Sequence, residues 1–208
     1  MMFQNLHLYL EKKDNIDSLF LKDMTLLNEL NIIKIITMPI HLHRNETFPS
    51  ADVREFGLKL KDYNGEDTKD NIKLLEVVQK RLVYKYESFI SKDAILKAIE
   101  YSGGNLRQLI RLINIASENA LAFEVEKIDI EEVDKAIENI RRAYSSKVIN
   151  MKSFLNEIEK NKTYEDNETN LINIAKATKM ELIFAYFNGI VWYEINPVIK
   201  KALEIYNK

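Results

Sequence analysis

The apolar residues of this chain change their period at about Lys69, and that change constrains the fold more than any other feature. Before it, short apolar runs stand alone. LHLYL at 6–10 and IIKIITM at 32–38 are bounded by polar residues and rich in β-branched or aromatic side chains, which predicts buried strands. Between them Ile16, Leu19, Phe20, Met24, Leu27 and Leu30 recur near helical spacing. The segment therefore reads as strand, crossover helix, strand, the unit of a parallel sheet. Two strands make no stable sheet alone, so this portion reads as the remnant of a larger α/β layer. Pro39 and Pro49 bracket a loop, and Val53 to Leu60 is expected as a third strand.

After Lys69 the spacing is helical. Asn71 to Tyr86 places Ile72, Leu75, Val78, Leu82 and Tyr86 on one stripe, and Ser91 is positioned to cap a helix through Tyr101. Ser102-Gly103-Gly104 stops that helix. Asn105 to Phe123 is the most apolar stretch, with Leu106, Leu109, Ile110, Ile113, Ala116 and Ala120 turned inward, and is expected at the centre of a bundle. Asp129 with Glu132 forms a capping box opening a helix to about Tyr144. The polar tract 156–170 is expected to contain a loop, and Leu171 to Met180 to form a further helix. IFAYF and IVWYEI flank Asn188-Gly189, a two-residue hairpin signal, and Pro197 suits the first turn of a last helix. Helices followed by a hairpin suggest a winged helix-turn-helix.

Only five Gly and three Pro among 208 residues, beside 30% charged side chains, agree with a mostly helical α+β chain. Thirty basic and thirty-two acidic side chains leave a net charge of −2, so no whole-molecule positive field recruits nucleic acid or anionic lipid. The absence of Cys excludes a disulfide framework, a thiolate nucleophile and a Cys-based zinc site. MMFQNLHLYLEKKD lacks the basic start and long apolar run of a signal peptide, and no apolar segment matches a bilayer, so a cytoplasmic protein without membrane contact is expected.

Four stretches taken in order resemble the C-terminal part of an AAA+ or STAND-type P-loop ATPase, of the kind related to archaeal origin-recognition proteins and bacterial defence ATPases. They are LEKKDNIDSLFLKDMTLLNELN, IIKIITMPIHL, SGGNLRQLIRLINIASENA with IDIEEVDKAI, and LIFAYFNGIVWYEINPVI, and together they span nearly the whole chain. SGGNLRQLIRL is the most specific. The resemblance implies a sensor-1 strand in the second, a helical lid with its sensor-2 arginine in the third and a winged helix in the fourth. It implies three parts: residues 1–66 as the core remnant, 67–144 as the lid and 145–208 as the winged-helix domain.

The sequence departs from that pattern where phosphate and metal are held. It contains no Gly-x-x-x-x-Gly-Lys-Ser/Thr, and aligning its LEK with the end of a Walker B strand puts Leu8 where the Mg²⁺-holding Asp stands. Glu11 and Asp14 offer themselves only after a shift of register. The expected function is thus the regulatory and interaction portion of such an ATPase, not hydrolytic by itself. It would take no cofactor alone, and ATP with Mg²⁺ only when joined to a core carrying Walker A, upstream or separate. The alternatives are a winged-helix DNA-binding protein, and an ATPase half-site completed by a second chain.

The candidate site residues follow. Arg107 lies in the first turn of its helix, where the macrodipole disfavours a cation by roughly 0.3–1 kcal/mol, so something should offset it. The resemblance makes it a sensor-2 contact to a γ-phosphate; the plain reading is an exposed Arg on a polar face with Arg111, Asn114 and Glu118. Thr37 stands at the sensor-1 position, and is equally ordinary strand chemistry. Gly103-Gly104 serves as a turn, with close approach of a phosphate as the functional addition. His41 and His43, with His7 distant, lack the third and fourth partners of a metal site. Residues 141–208 carry eleven Lys and Arg against eight Asp and Glu. That mild excess makes Lys176, Lys179, Arg141 and Arg142 the candidates for weak contact with DNA phosphates. Trp192 and Tyr193 are expected to pack in the domain core, leaving the hairpin suited to protein contact.

Overall fold

The computed structural model describes residues 2–3, 35–36, 58–82, 86–187 and 191–206. The chain divides into two units, Met1–Arg54 and Glu55–Lys208. In the first, β1 (Met2–Phe3) pairs in parallel with β2 (Ile35–Ile36), Met2 opposite Ile35. β2 falls inside the expected 32–38 run, whereas β1 lies before the run expected as the first strand. The expected strand at 6–10 and helix at 16–30 lie outside the described residues. So do Thr37, His7, His41, His43, Leu8, Glu11 and Asp14.

The second unit is mostly helical with one small antiparallel sheet, an α+β architecture. Residues 58–60, expected to end a third strand, are not in a strand. They lead instead into a tight turn. Asp62 Oδ1 accepts from the backbone N–H groups of Asn64 and Glu66, both at 2.9 Å, and Lys61 bridges Asp67. The side chain of Asp70 then accepts from Lys59 N at 3.1 Å and pairs with Lys73, fixing the start of α1 (Asp70–Arg81). The buried stripe of α1 is Leu74 and Val78, whereas Ile72 is 60% exposed. The expected face is therefore rotated, because the run 72–82 offers apolar residues on two adjacent stripes and packing against α3 selects one. The helix also ends at Arg81, short of Tyr86, which begins the brief α2 (Tyr86–Phe89).

Local capping then sets each boundary. Ser91 Oγ accepts from Ala94 N to start α3 (Lys92–Ser102), and Asn105 Oδ1 accepts from Gln108 N to start α4 (Leu106–Ala122). The Asp129/Glu132 capping box opens α5, which runs on past Tyr144 (Ile130–Asn150). The polar tract is partly helical, with α6 (Lys152–Asn161) before a loop and α7 (Glu168–Lys179) after it. The stripe of α6, with Phe154, Leu155 and Ile158 buried, outweighs the polar composition of its outer face.

The hairpin pairs β3 (Ile183–Phe187) with β4 (Val191–Ile195), and α8 (Pro197–Tyr206) follows with Pro197 in its first turn. Phe187 stands opposite Val191, leaving three residues between the strands rather than the two expected of Asn188-Gly189. The centre of the bundle is α5 rather than α4. It packs against α3, α4, α6 and α8, whereas α4 packs chiefly against α3 and α5. On α4 the inward residues are Gln108, Leu109, Leu112, Ala116 and Ala120, while Leu106 is exposed.

Candidate functional site

The turn between α3 and α4 is built from its own sequence. Ser102 Oγ donates to Ile99 O at 2.6 Å and accepts from Gly104 N at 3.1 Å, and Asn105 N donates to Ser102 O. Gly103 and Gly104 adopt φ of +59° and +83°, conformations that favour glycine. A Cβ on Gly104 would lie 2.2 Å from Leu58 O, and one on Gly103 would lie 2.9 Å from the Phe184 ring. The Tyr186 hydroxyl also donates to Gly103 O. The close approach that the glycines permit is therefore to the chain's own backbone and hairpin. A phosphate has no cradle there, and the described residues contain no cluster of three His, Asp or Glu for a cation.

Arg107 leaves this turn pointing outward, its side chain 84% exposed. Nη1 lies 3.7 Å from Glu181 Oε1, so the charge that offsets the helix dipole comes from the end of α7 and not from Glu118. Glu181 belongs to a wider group. Its Oε2 accepts from the Tyr144 hydroxyl at 3.2 Å, and that hydroxyl accepts from Arg111 Nη1 at 3.2 Å. Lys147 Nζ stands 4.7 Å from the centre of the Tyr144 ring. Burial raises the Tyr144 hydroxyl above its ordinary pKa; the Arg111 hydrogen bond opposes this and the Glu181 charge adds to it. The phenol thus stays protonated at neutral pH and can donate to the carboxylate. Arg107 thus pairs with the Glu181 carboxylate, while Arg111 and Lys147 stand against the tyrosine that donates to it.

The expected nucleic-acid residues separate into two places. Lys176 and Lys179 lie exposed near the end of α7, with no carboxylate within ion-pair distance among the described residues. Arg141 and Arg142 both pair with Glu138, Arg142 through Nε at 3.0 Å. They line an open groove of about 1100 Å³, alternating with Glu138 and Glu204 and joined by Lys200 and Lys201 of α8. Shared carboxylates leave that groove little positive excess.

Trp192 is 1% exposed, stacked on Tyr186 with ring centres 4.6 Å apart and edge-on to Tyr63 at 5.9 Å. Tyr193 is buried against Tyr164. Both aromatics pack in the core as expected. The hairpin is covered on both faces: Ile183, Tyr193 and Ile195 join the main core, while Phe184, Tyr186 and Trp192 form a second cluster over the glycine turn. Glu181, Tyr144 and Lys147 escaped the sequence reading. No local spacing links them to Arg107, and the one available signal was the helix-start cation that needed an offsetting charge.

No described helix is long and apolar enough to cross a membrane. Comparison with known protein families, with curated proteins and with solved structures finds no match.

Proposed function

We propose that this chain is the lid and winged-helix portion of an AAA+/STAND-like ATPase, regulatory and interacting, and not hydrolytic by itself. The observation that carries the reading is Arg107. It projects from the first turn after the Ser-Gly-Gly stop, almost fully exposed, and its ion pair at 3.7 Å is weak. A guanidinium so placed is accessible to a phosphate held elsewhere. The glycine turn, closed by Leu58 O, Phe184 and Tyr186, speaks against the chain cradling Mg²⁺-ATP alone. The purified chain should show no ATP turnover, and turnover that depends on Glu11 or Asp14 would refute this. When the chain is isolated from its native cells with a Walker A-bearing polypeptide, Arg107→Ala should lower the turnover of the pair. Unchanged turnover would remove the arginine's role.

The DNA-binding reading draws support from Lys176 and Lys179, exposed on the helix that precedes the hairpin. The hairpin's two covered faces weigh against it, since a wing that reads a groove needs a free face. Duplex DNA should bind weakly and lose that binding steeply with salt. Lys176→Glu with Lys179→Glu should abolish what remains. Tight, sequence-selective binding at about 200 mM salt would reverse the ranking of the two readings.

A further inference from the structure

We infer that Glu181 is a built-in competitor for Arg107, an internal anion that a phosphate-bearing ligand must displace. The inference rests on the reading of Arg107 as a phosphate contact, and it adds how that contact is held in check. Glu181 is placed against two ordinary preferences. It occupies the left-handed position after a helix end, φ +57°, where glycine or asparagine is favoured. It also sets a negative charge at the negative end of α7.

The surrounding bonds keep it there. Glu181 N donates to Thr178 O at 3.0 Å and Leu182 N to Ala177 O at 2.9 Å, closing the helix end. The side chain of Asn196, a fully buried residue, donates to Glu181 O at 2.8 Å. The Tyr144 hydroxyl holds the carboxylate itself. One oxygen is thus oriented by Tyr144 while the other faces the Arg107 guanidinium, the position a phosphate oxygen would take. Arg111 and Lys147 border the same ring, and among the described residues neither has a carboxylate within ion-pair distance. A ligand with several negative charges can therefore also engage Arg111, one turn from Arg107 on α4, where Glu181 pairs closely with Arg107. A weak exposed pair yields to such a competitor, whereas a singly charged anion gains little by the exchange. Displacement would also free a side chain anchored at the entry to β3, so occupancy at the lid would be felt by the hairpin.

The test measures binding of inorganic triphosphate to the full chain at low ionic strength, by ³¹P line broadening. Glu181→Gln keeps an oxygen to accept from Tyr144 while removing the charge. It should bind about tenfold more tightly than the wild type, as expected for lifting one repulsive charge at close range. Arg107→Ala should weaken binding, and the double variant should lose the gain. If Glu181→Gln equals the wild type while Arg107→Ala binds less, the competitor is refuted and the arginine contact stands. A gain that persists in the double variant also refutes it, since Glu181 would then repel anions without acting on Arg107. No effect of either substitution would overturn the arginine reading together with the inference. Unchanged circular dichroism and melting of each variant establish that the comparison is between folded proteins.

Discussion

Gly104→Ala is the substitution that most directly tests why the Ser-Gly-Gly turn exists. Two costs add at this position. An L-residue at φ +83° costs roughly 1–2 kcal/mol, and its Cβ would stand 2.2 Å from Leu58 O, a backbone atom that must move. Forcing such a shift in packed structure adds about 1–3 kcal/mol. The reduced entropy of the unfolded chain returns about 0.4–1 kcal/mol, which leaves a net loss of about 1–5 kcal/mol. Gly103→Ala is the control. It also meets the cost of positive φ, but its Cβ would approach side-chain atoms of Phe184 and Tyr186 at 2.9 and 3.1 Å rather than a backbone oxygen at 2.2 Å, so a smaller loss than at Gly104 is expected. Urea denaturation followed by the fluorescence of Trp192, the sole tryptophan, reads both variants. That indole is stacked on Tyr186, whose hydroxyl bonds to Gly103, so it reports the region directly. A Gly104→Ala protein within about 0.5 kcal/mol of wild type, or less affected than Gly103→Ala, would refute the packing explanation.

Trp192→Ala should cost about 3–5 kcal/mol in urea denaturation followed by circular dichroism, since the variant has no tryptophan, and a loss under about 1 kcal/mol would show that the indole does not fill the core. Trp192→Phe should cost less than Trp192→Ala, because the ring stacked on Tyr186 is kept and, among the described residues, Nε1 has no hydrogen-bond partner to lose. The Ser91 hydroxyl and then the Ile130 N–H hold the Asp129 carboxyl below its ordinary pKa of 3.8. The stability this confers is present above that value and lost as pH falls through the lower folded one. Wild type should therefore melt above Asp129→Asn at about pH 6, with the gap closing toward about pH 3; a constant gap would refute the linkage. Arg107→Ala should change stability by no more than about 0.5 kcal/mol, since an exposed pair at 3.7 Å contributes little, and a loss of several kcal/mol would mark a structural arginine.

What the sequence made legible is what is settled locally. Ser91, Asn105 and the Asp129/Glu132 pair each satisfy backbone N–H groups within three residues, so their chemistry places helix starts without knowledge of the rest. The hairpin strands and Pro197 were readable for the same reason. The face of α1 was not. Ile72 and Leu74 are equally apolar, and only the neighbour they meet decides that Leu74 is buried while Ile72 is 60% exposed. Likewise the polar tract concealed α6, whose buried stripe is visible only against the hairpin strand and the helices it packs on.

The candidate site divides along the same line. That Arg107 stands at a helix start, and is therefore short of a compensating anion, follows from the six residues before it. That the anion is Glu181 does not, because the pair forms only when α7 ends against α4 and Tyr144 of α5 lies between them. The hairpin explains why these elements are held in that register. Tyr186 reaches back to Gly103, Asn196 holds the backbone of Glu181, and both strands lie between two apolar clusters. On the proposed reading, a hairpin fixed at the glycine turn and at the helix end would transmit whether the Glu181 carboxylate is engaged, and the same contacts that cover its two faces are what that reading uses.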